Sequence, residues 1–348
     1  MRFVRKLCAW LLGSVLFVAG FLKLMDPVGA GLVVAEYFKF FGLGFMEPAS
    51  KALGIFMALF ETILGAAVIT GVWRRTVAVV SGATLACFTI LTAVLLIFNP
   101  AMDCGCFGEA VHLTHLQSFI KNLVLCLLWV GAYIPFSKLL PTPKVKYVGF
   151  GIASVSVLLF ALWSILSVPM IDFTPMKPGA ELLQEDYYPD AQVLSFSDAD
   201  GNYADSLAVR GKVMVVSSYD PLKLDKGTCD RLAEFVGDAQ ALGFQPLVLA
   251  ATTPDEINGL AADPGLLTNL YFADRKTLMT FNRSNGGVTY VDGATIVRKW
   301  ASRSLPDKDT LRWLAEADST EALVDGEQKS RLRVQAFLLY AFAVMLLL

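Results

Sequence analysis

Long apolar runs separated by short polar joints dominate the first half of the chain. They cover residues 7–25, 52–73, 76–98, 116–136 and 147–168, each close to the roughly 20 residues a helix needs to cross a bilayer. A sixth run, 334–348, is shorter and ends in three leucines; it reads as a further span or one cut short. The first run follows the basic head Met1-Arg2-Phe3-Val4-Arg5-Lys6. It is too long for a signal-peptide core and lacks a small-residue cleavage site, so it predicts a retained span. Between runs five and six the pattern changes to short β-branched stretches and amphipathic segments. Residues 191–197, 212–218 and 246–251 read as strands. Residues 229–241 have helical spacing with Leu232, Phe235 and Val236 on one face, and 308–317 reads as a final helix. Residues 287–291 and 295–300 flank Asp292-Gly293, a hairpin signal.

The fold class expected is therefore an α-helical membrane protein, a four-helix bundle plus one or two further spans, with an inserted α/β soluble domain. The four-span unit is expected at 1–139, the fifth span and a linker at 140–171, the soluble domain at 172–329 and the last span at 330–348.

Composition agrees with a lipid environment. Of 348 residues, 55% are hydrophobic and 17% charged, against about 25% charged for a soluble domain, and the mean hydropathy is +0.56. A net charge of −2 without a basic tract argues against nucleic acid as a partner; the bilayer is the partner that composition implies. Arg2, Arg5 and Lys6 precede the first span, Arg74 and Arg75 join the second and third, and Lys138, Lys144 and Lys146 join the fourth and fifth. All three segments fall on one side, which the positive-inside bias makes cytoplasmic. The joint between spans three and four and the large hydrophilic segment then face outward, on the periplasmic side if the chain sits in a bacterial inner membrane. An oxidising outer compartment suits disulfides.

The outward joint carries the candidate chemistry, in Asp103-Cys104-Gly105-Cys106-Phe107-Gly108. Gly105 lets the backbone fold back so that both sulfurs face one small site. Such a pair serves as a cycling disulfide, a static disulfide or two ligands for a soft metal, unless the thiols merely share a loop. A ring closed over one residue departs from relaxed disulfide geometry and should be easier to reduce, which leans towards redox use. His112 and His115 follow as Cys-x-Cys-x5-His-x2-His, so Cys104, Cys106, His112 and His115 are an alternative four-ligand metal set. Cys8, Cys87 and Cys126 lie in apolar runs and read as small buried hydrophobes. Glu61, about 14 Å into span two at 1.5 Å per residue, is costly in lipid and hence a site candidate. It is expected to face Lys23 or Lys121 across the bundle interior. Lys121, with Asn122 beside it, would favour a thiolate; for Lys23 and Lys121 the plain reading is snorkelling to the interface.

Gly20-Phe21-Leu22-Lys23-Leu24-Met25-Asp26-Pro27 resembles the DoxX family. Phe60-Glu61-Thr62-Ile63-Leu64-Gly65, the Asp-Cys-Gly-Cys-Phe-Gly run and Phe119-Ile120-Lys121-Asn122 resemble the related MauE family, over about residues 1–139. The MauE likeness implies disulfide handling during maturation of periplasmic proteins. The DoxX likeness implies sulfur redox chemistry with quinone as cofactor. In the outward segment, Asp200-Gly201 leading to Arg210-Gly211-Lys212-Val213 resembles a thioredoxin-like domain of the membrane-tethered thiol-reductase type. Two features of that type are missing. Ser217-Ser218-Tyr219-Asp220 stands where a Cys-x-x-Cys belongs, and Ser284-Asn285-Gly286-Gly287 replaces the proline before the hairpin. Cys229 follows Thr228, a candidate N-cap, where a helix N-terminus would lower its pKa; the plain reading is an unreactive cysteine on a helix.

The leading expectation is a thiol–disulfide oxidoreductase of the membrane, in which Cys104 and Cys106 exchange with an extracytoplasmic protein partner. Lys121 favours the thiolate, and the degenerate domain docks the partner. One alternative oxidises a thiol or sulfur species with quinone, Glu61 handling protons. The other is a non-catalytic scaffold with a fixed disulfide.

Overall fold

The computed structural model describes residues 2–136, 142–182, 194–253 and 264–347. Two compact units emerge, one formed by Met1–Ile165 with Ala336–Leu348, the other by Leu166–Gln335. Lys138 and the expected boundary at 139 lie outside the described residues.

In the first unit α1 (Arg2–Met25) is followed by α2 (Pro27–Phe40), and a 3-10 turn (Gly44–Ala49) leads into α3 (Ser50–Thr70). Then come α4 (Arg74–Phe98), the short extended segment β1 (Cys106–Glu109), α5 (His115–Tyr133) and α6 (Lys144–Leu166). Among the described residues five helices are long and apolar enough to cross a membrane, which matches the five internal runs of the sequence. Their outer faces carry exposed Ile90, Ile97, Leu127 and Leu159, the surface that lipid covers. The core between α1, α3, α4 and α5 gathers Leu12, Leu16, Leu64, Val68, Leu85 and Leu125.

Helix α2 has no counterpart among the apolar runs read from the sequence. Its start is encoded locally: the Asp26 carboxylate accepts from the Gly29 amide at 2.9 Å, and Pro27 occupies the first turn, where its missing N–H costs nothing. A Cβ on Gly54 would lie 2.8 Å from the Ala30 backbone, so α2 lies directly against the first turns of α3. Deeper in the unit, a Cβ on Gly20 of α1 would lie 2.5 Å from the Thr62 hydroxyl. These small residues let backbones approach as tightly as helices do in membranes. Because α2 covers the beginning of α3, the end of α1 stops well short of it.

The basic joints meet at the opposite end. Arg5 donates to the Pro135 carbonyl at 2.9 Å, the Trp73 amide donates to the Tyr147 hydroxyl at 3.4 Å, and the Thr142 hydroxyl donates to the Gly71 carbonyl.

The second unit is built on a six-stranded mixed sheet. Its elements are β2 (Phe196–Ser197), β3 (Lys212–Ser218), α7 (Lys226–Ala241), β4 (Gln245–Ala250), α8 (Pro264–Leu267), β5 (Leu270–Ala273), α9 (Arg275–Phe281), β6 (Gly287–Asp292), β7 (Thr295–Trp300) and α10 (Lys308–Glu316). The strand order is β2-β5-β4-β3-β6-β7. Strand β3 runs parallel to β4 and antiparallel to β6, and the β6–β7 hairpin is antiparallel. Gly293 and Ala294 both take positive φ, +55° and +74°, as a tight hairpin turn demands. The core packs Val216, Leu232, Phe235, Val236, Tyr290 and Leu314. Lys212 closes the end of α10, donating to the carbonyls of Leu314, Ala315 and Ala317 at 2.8–3.1 Å.

The segment after α6 belongs to this unit: the Leu182 amide donates to the Ala294 carbonyl at 2.8 Å, and Asp172 and Lys299 form an ion pair of 2.7 Å with both side chains largely buried. The strand expected at 191–197 is described only as Phe196–Ser197; 191–193 lie outside the described residues. Strand β5 and helix α9, with its Asp274 cap, went unread because neither has enough apolar periodicity of its own. The last span is not a separate element. Helix α11 runs unbroken from Ser319 to Leu347, so polar turns precede its apolar end.

Candidate functional site

The cysteine loop is shaped where α4 stops. Asn99 adopts a left-handed conformation, φ +42°, and Pro100 follows, which together end the helix. Gly105 and Gly108 both have φ +62°, a region that residues with a Cβ avoid, and the Gly108 amide donates to the Gly105 carbonyl at 3.1 Å. A side chain on Gly105 would also collide with Val33 of α2. The Tyr37 hydroxyl, on the same helix, donates to the Cys104 carbonyl at 2.7 Å. Helix α2 is thus the platform on which the loop rests. On the far side the chain enters α5 through a capping box, Thr114 accepting from the Gln117 amide and Gln117 from the Thr114 amide.

Cys104 and Cys106 are free thiols with their sulfurs 2.8 Å apart. Cys104 is buried and Cys106 half-buried. Their environments push the two thiols apart. The Cys104 thiol hydrogen-bonds the Cys106 sulfur and holds Cys106 below the ordinary thiol range; burial opposes this, and the charges of Lys121 and Lys23 add to it. Cys104 moves up, through that same hydrogen bond, through burial and through the neighbouring thiolate; the Ser118 hydroxyl and Lys121 pull the other way. The geometry agrees in direction. Lys121 reaches from α5 with its ammonium 5.2 Å from the Phe107 ring centre, and Lys23 packs its stem 3.5 Å from where a Cβ of Gly108 would stand.

Glu61 joins through Lys23. The Lys23 ammonium lies 2.6 Å from a Glu61 carboxylate oxygen, and the two side chains are only 12% and 3% exposed. Snorkelling does not describe Lys23, because its ammonium turns to Glu61 on α3 and its stem lies under β1 at Gly108. The site therefore draws together Cys104, Cys106, Lys121, Lys23 and Glu61 from four elements. Tyr37 and Ser118 were not read from the sequence. The Asp26-Pro27 start signal could have found the helix that carries Tyr37; nothing local distinguishes Ser118.

The four residues of the metal alternative do not come together in the structure. His112 turns to Asp103, its Nδ1 2.8 Å from the carboxylate, and the His115 Nε2–H donates to the Pro100 carbonyl at 3.1 Å. Among the described residues no group of three or more His, Cys, Asp or Glu side chains could hold a metal ion.

In the second unit the turn after β3 carries hydrogen bonds instead of sulfur. Asn285 accepts from the Ser218 hydroxyl at 3.0 Å and the Asp220 amide at 2.9 Å, and donates to the Asp220 carbonyl at 2.8 Å. Two readings of Cys229 are corrected. The cap of α7 is Asp225, which accepts from the Thr228 amide, so Thr228 lies inside the helix. The Cys229 thiol is raised, by burial first and then by the charges of Asp225 and Asp230.

No curated protein and no solved structure matches this chain. Residues 1–135, from α1 through α5 with the cysteine loop, match the family model described as methylamine utilisation protein MauE, and that stretch is MauE-like.

Proposed function

We propose that the protein is a membrane thiol–disulfide exchanger in which Cys106 is the attacking sulfur and Cys104 the resolving one. The observation that carries this reading is the unequal pair: two adjacent thiols, the more exposed one beside Lys121 and Lys23, the other buried. A thiolate is the nucleophile in exchange, and a positively charged setting maintains it. The Cys106 thiolate attacks one sulfur of a partner disulfide. That disulfide breaks, its second sulfur leaves as a thiolate, and a mixed disulfide forms. Cys104 then loses its proton and attacks Cys106, releasing the partner's other thiolate. Two electrons pass to the partner, Cys104 and Cys106 become a disulfide, and the partner's two thiolates take up protons. Run backwards, the same steps oxidise a partner dithiol.

The MauE likeness supports a place in the maturation of extracytoplasmic proteins, and the family's description ties such proteins to methylamine utilisation. The grouping of the basic joints at one end supports an outward-facing cysteine loop. The strand order β4-β3-β6-β7, with one parallel pair and an antiparallel hairpin, supports a thioredoxin-like second unit that docks the partner and performs no exchange itself.

Trapping tests the assignment. Cys104→Ser accumulates a reducible mixed disulfide with a second protein in native membranes, because the resolving sulfur is gone; Cys106→Ser accumulates none. The opposite pattern reverses the roles. A wild-type chain whose thiols never change with oxidant or reductant makes the unit a scaffold.

A further inference from the structure

We propose that the Lys23–Glu61 ion pair sets the reduction potential of the Cys104–Cys106 couple, Lys23 stabilising the Cys106 thiolate and Glu61 restraining that effect. The inference rests on the exchange reading above and goes beyond it, since neither side chain is needed to form or break a sulfur bond. Three observations carry it. The Lys23 backbone and stem lie 3.5–3.9 Å from the Cβ position of Gly108, directly beneath the cysteine turn. The Lys23 ammonium is held 2.6 Å from Glu61, itself 2% exposed. The approach of α1 to α3 at Gly20 fixes the depth of both. Charges so far from water are weakly screened, so a sulfur close by feels them. A buried pair adds little net stability relative to apolar side chains of the same size. Its distinctive consequence here is the field across the loop.

Lys121 approaches from α5 on the Phe107 side and favours the thiolate in the same direction, but it is the Lys23 charge that Glu61 restrains; the Asp26 carboxylate caps α2. The couple reads: disulfide plus two electrons plus one proton gives the Cys106 thiolate and the Cys104 thiol. Whatever favours the thiolate favours the reduced side, and a stabilised reduced form is what makes a disulfide a strong oxidant. Removing the Lys23 charge must therefore make the couple more reducing. Removing the Glu61 charge must make it more oxidising.

The test equilibrates the full chain in lipid nanodiscs with graded ratios of reduced to oxidised dithiothreitol, then alkylates the free thiols and reads the oxidised fraction. Lys23→Gln lowers the equilibrium constant for reduction about tenfold, about 30 mV for a two-electron couple. Glu61→Gln raises it about threefold, and Lys23→Arg stays within about twofold of wild type because the charge remains. If a lone buried Glu61 prevents Lys23→Gln from folding, the double variant Lys23→Gln with Glu61→Gln leaves no unpaired charge, and its midpoint falls on the reducing side of wild type. Variants that all titrate with the wild type, or Glu61→Gln moving in the same direction as Lys23→Gln, overturn the proposal. A wild-type chain that forms no disulfide at any ratio overturns the exchange reading beneath it.

Discussion

The loop after α4 and the turn after β3 meet a similar demand and answer it differently. Each must hold a tight backbone reversal where a long element ends. In the loop, glycines at 105 and 108 allow the turn, and α2 supports it from outside through Val33 and Tyr37. That leaves the two sulfurs with no structural duty and places lysines around them. In the second unit, the side chain of Asn285 ties down Ser218 and Asp220 with three hydrogen bonds. Both polar atoms of the Asn285 side chain are engaged in holding the turn. A site keeps its chemistry when neighbouring elements bear the structural load.

The buried ion pairs repeat the contrast. Lys23–Glu61 lies beneath the cysteine turn at Gly108, whereas Lys299–Asp172 fastens the segment after α6 to the sheet.

The largest effect should follow from the sulfurs. Cys106→Ser abolishes any oxidant-dependent shift on alkylation at the loop, while Cys229→Ser leaves it intact; a shift that vanishes with Cys229 would move the chemistry to the second unit. Next comes Lys299→Met, which strands a buried carboxylate and should destabilise the second unit by about 3–5 kcal/mol, read by denaturant unfolding with the loop titration unchanged. The Asp172 carboxyl is held below its usual range because the Lys299 charge and hydrogen bonds outweigh burial. Its contribution is therefore complete above the unfolded pKa of about 3.9 and is lost as pH falls through the lower folded value. The wild-type and Lys299→Met curves should accordingly converge in acid.

Asn285→Ala should cost about 1–3 kcal/mol, by taking away the acceptor of the Asp220 amide and the Ser218 hydroxyl. Unaltered stability would mean that the turn holds without its side-chain tie. The smallest effect concerns Lys121. In the reduced wild type, iodoacetamide should keep modifying Cys106 as pH falls from about 8 to about 6, because its thiolate persists below the ordinary thiol range. Lys121→Gln should slow that reaction about tenfold at the lower pH, one pKa unit's worth of thiolate. An equal pH profile in both proteins would place the stabilising charge elsewhere.

Much of the architecture is written in the chain. The spans follow from length and hydropathy, since a helix that crosses lipid has no alternative to a continuous apolar run. The strands Lys212–Ser218 and Thr295–Trp300 fall where β-branched stretches predict them. Cys-Gly-Cys was legible because covalent spacing alone places two sulfurs within reach. The four residues of a would-be metal set were equally legible, but spacing says nothing of where His112 and His115 turn, and they turn to Asp103 and the Pro100 carbonyl. The cap of α7 was misplaced by three residues, since Asp225 and Thr228 are both competent cappers and only the backbone path chooses between them. Helix α2, the platform of the loop, was the costliest omission. Sequence distance sets Lys23 about 10 Å along the axis from Glu61; the close approach of α1 to α3 at Gly20 brings ammonium and carboxylate together and withdraws both side chains from water. Local sequence determines which residues can ionise or form a helix. How deep they lie, and which charge meets which, depends on contacts between segments far apart in the chain, and these only the tertiary structure decided.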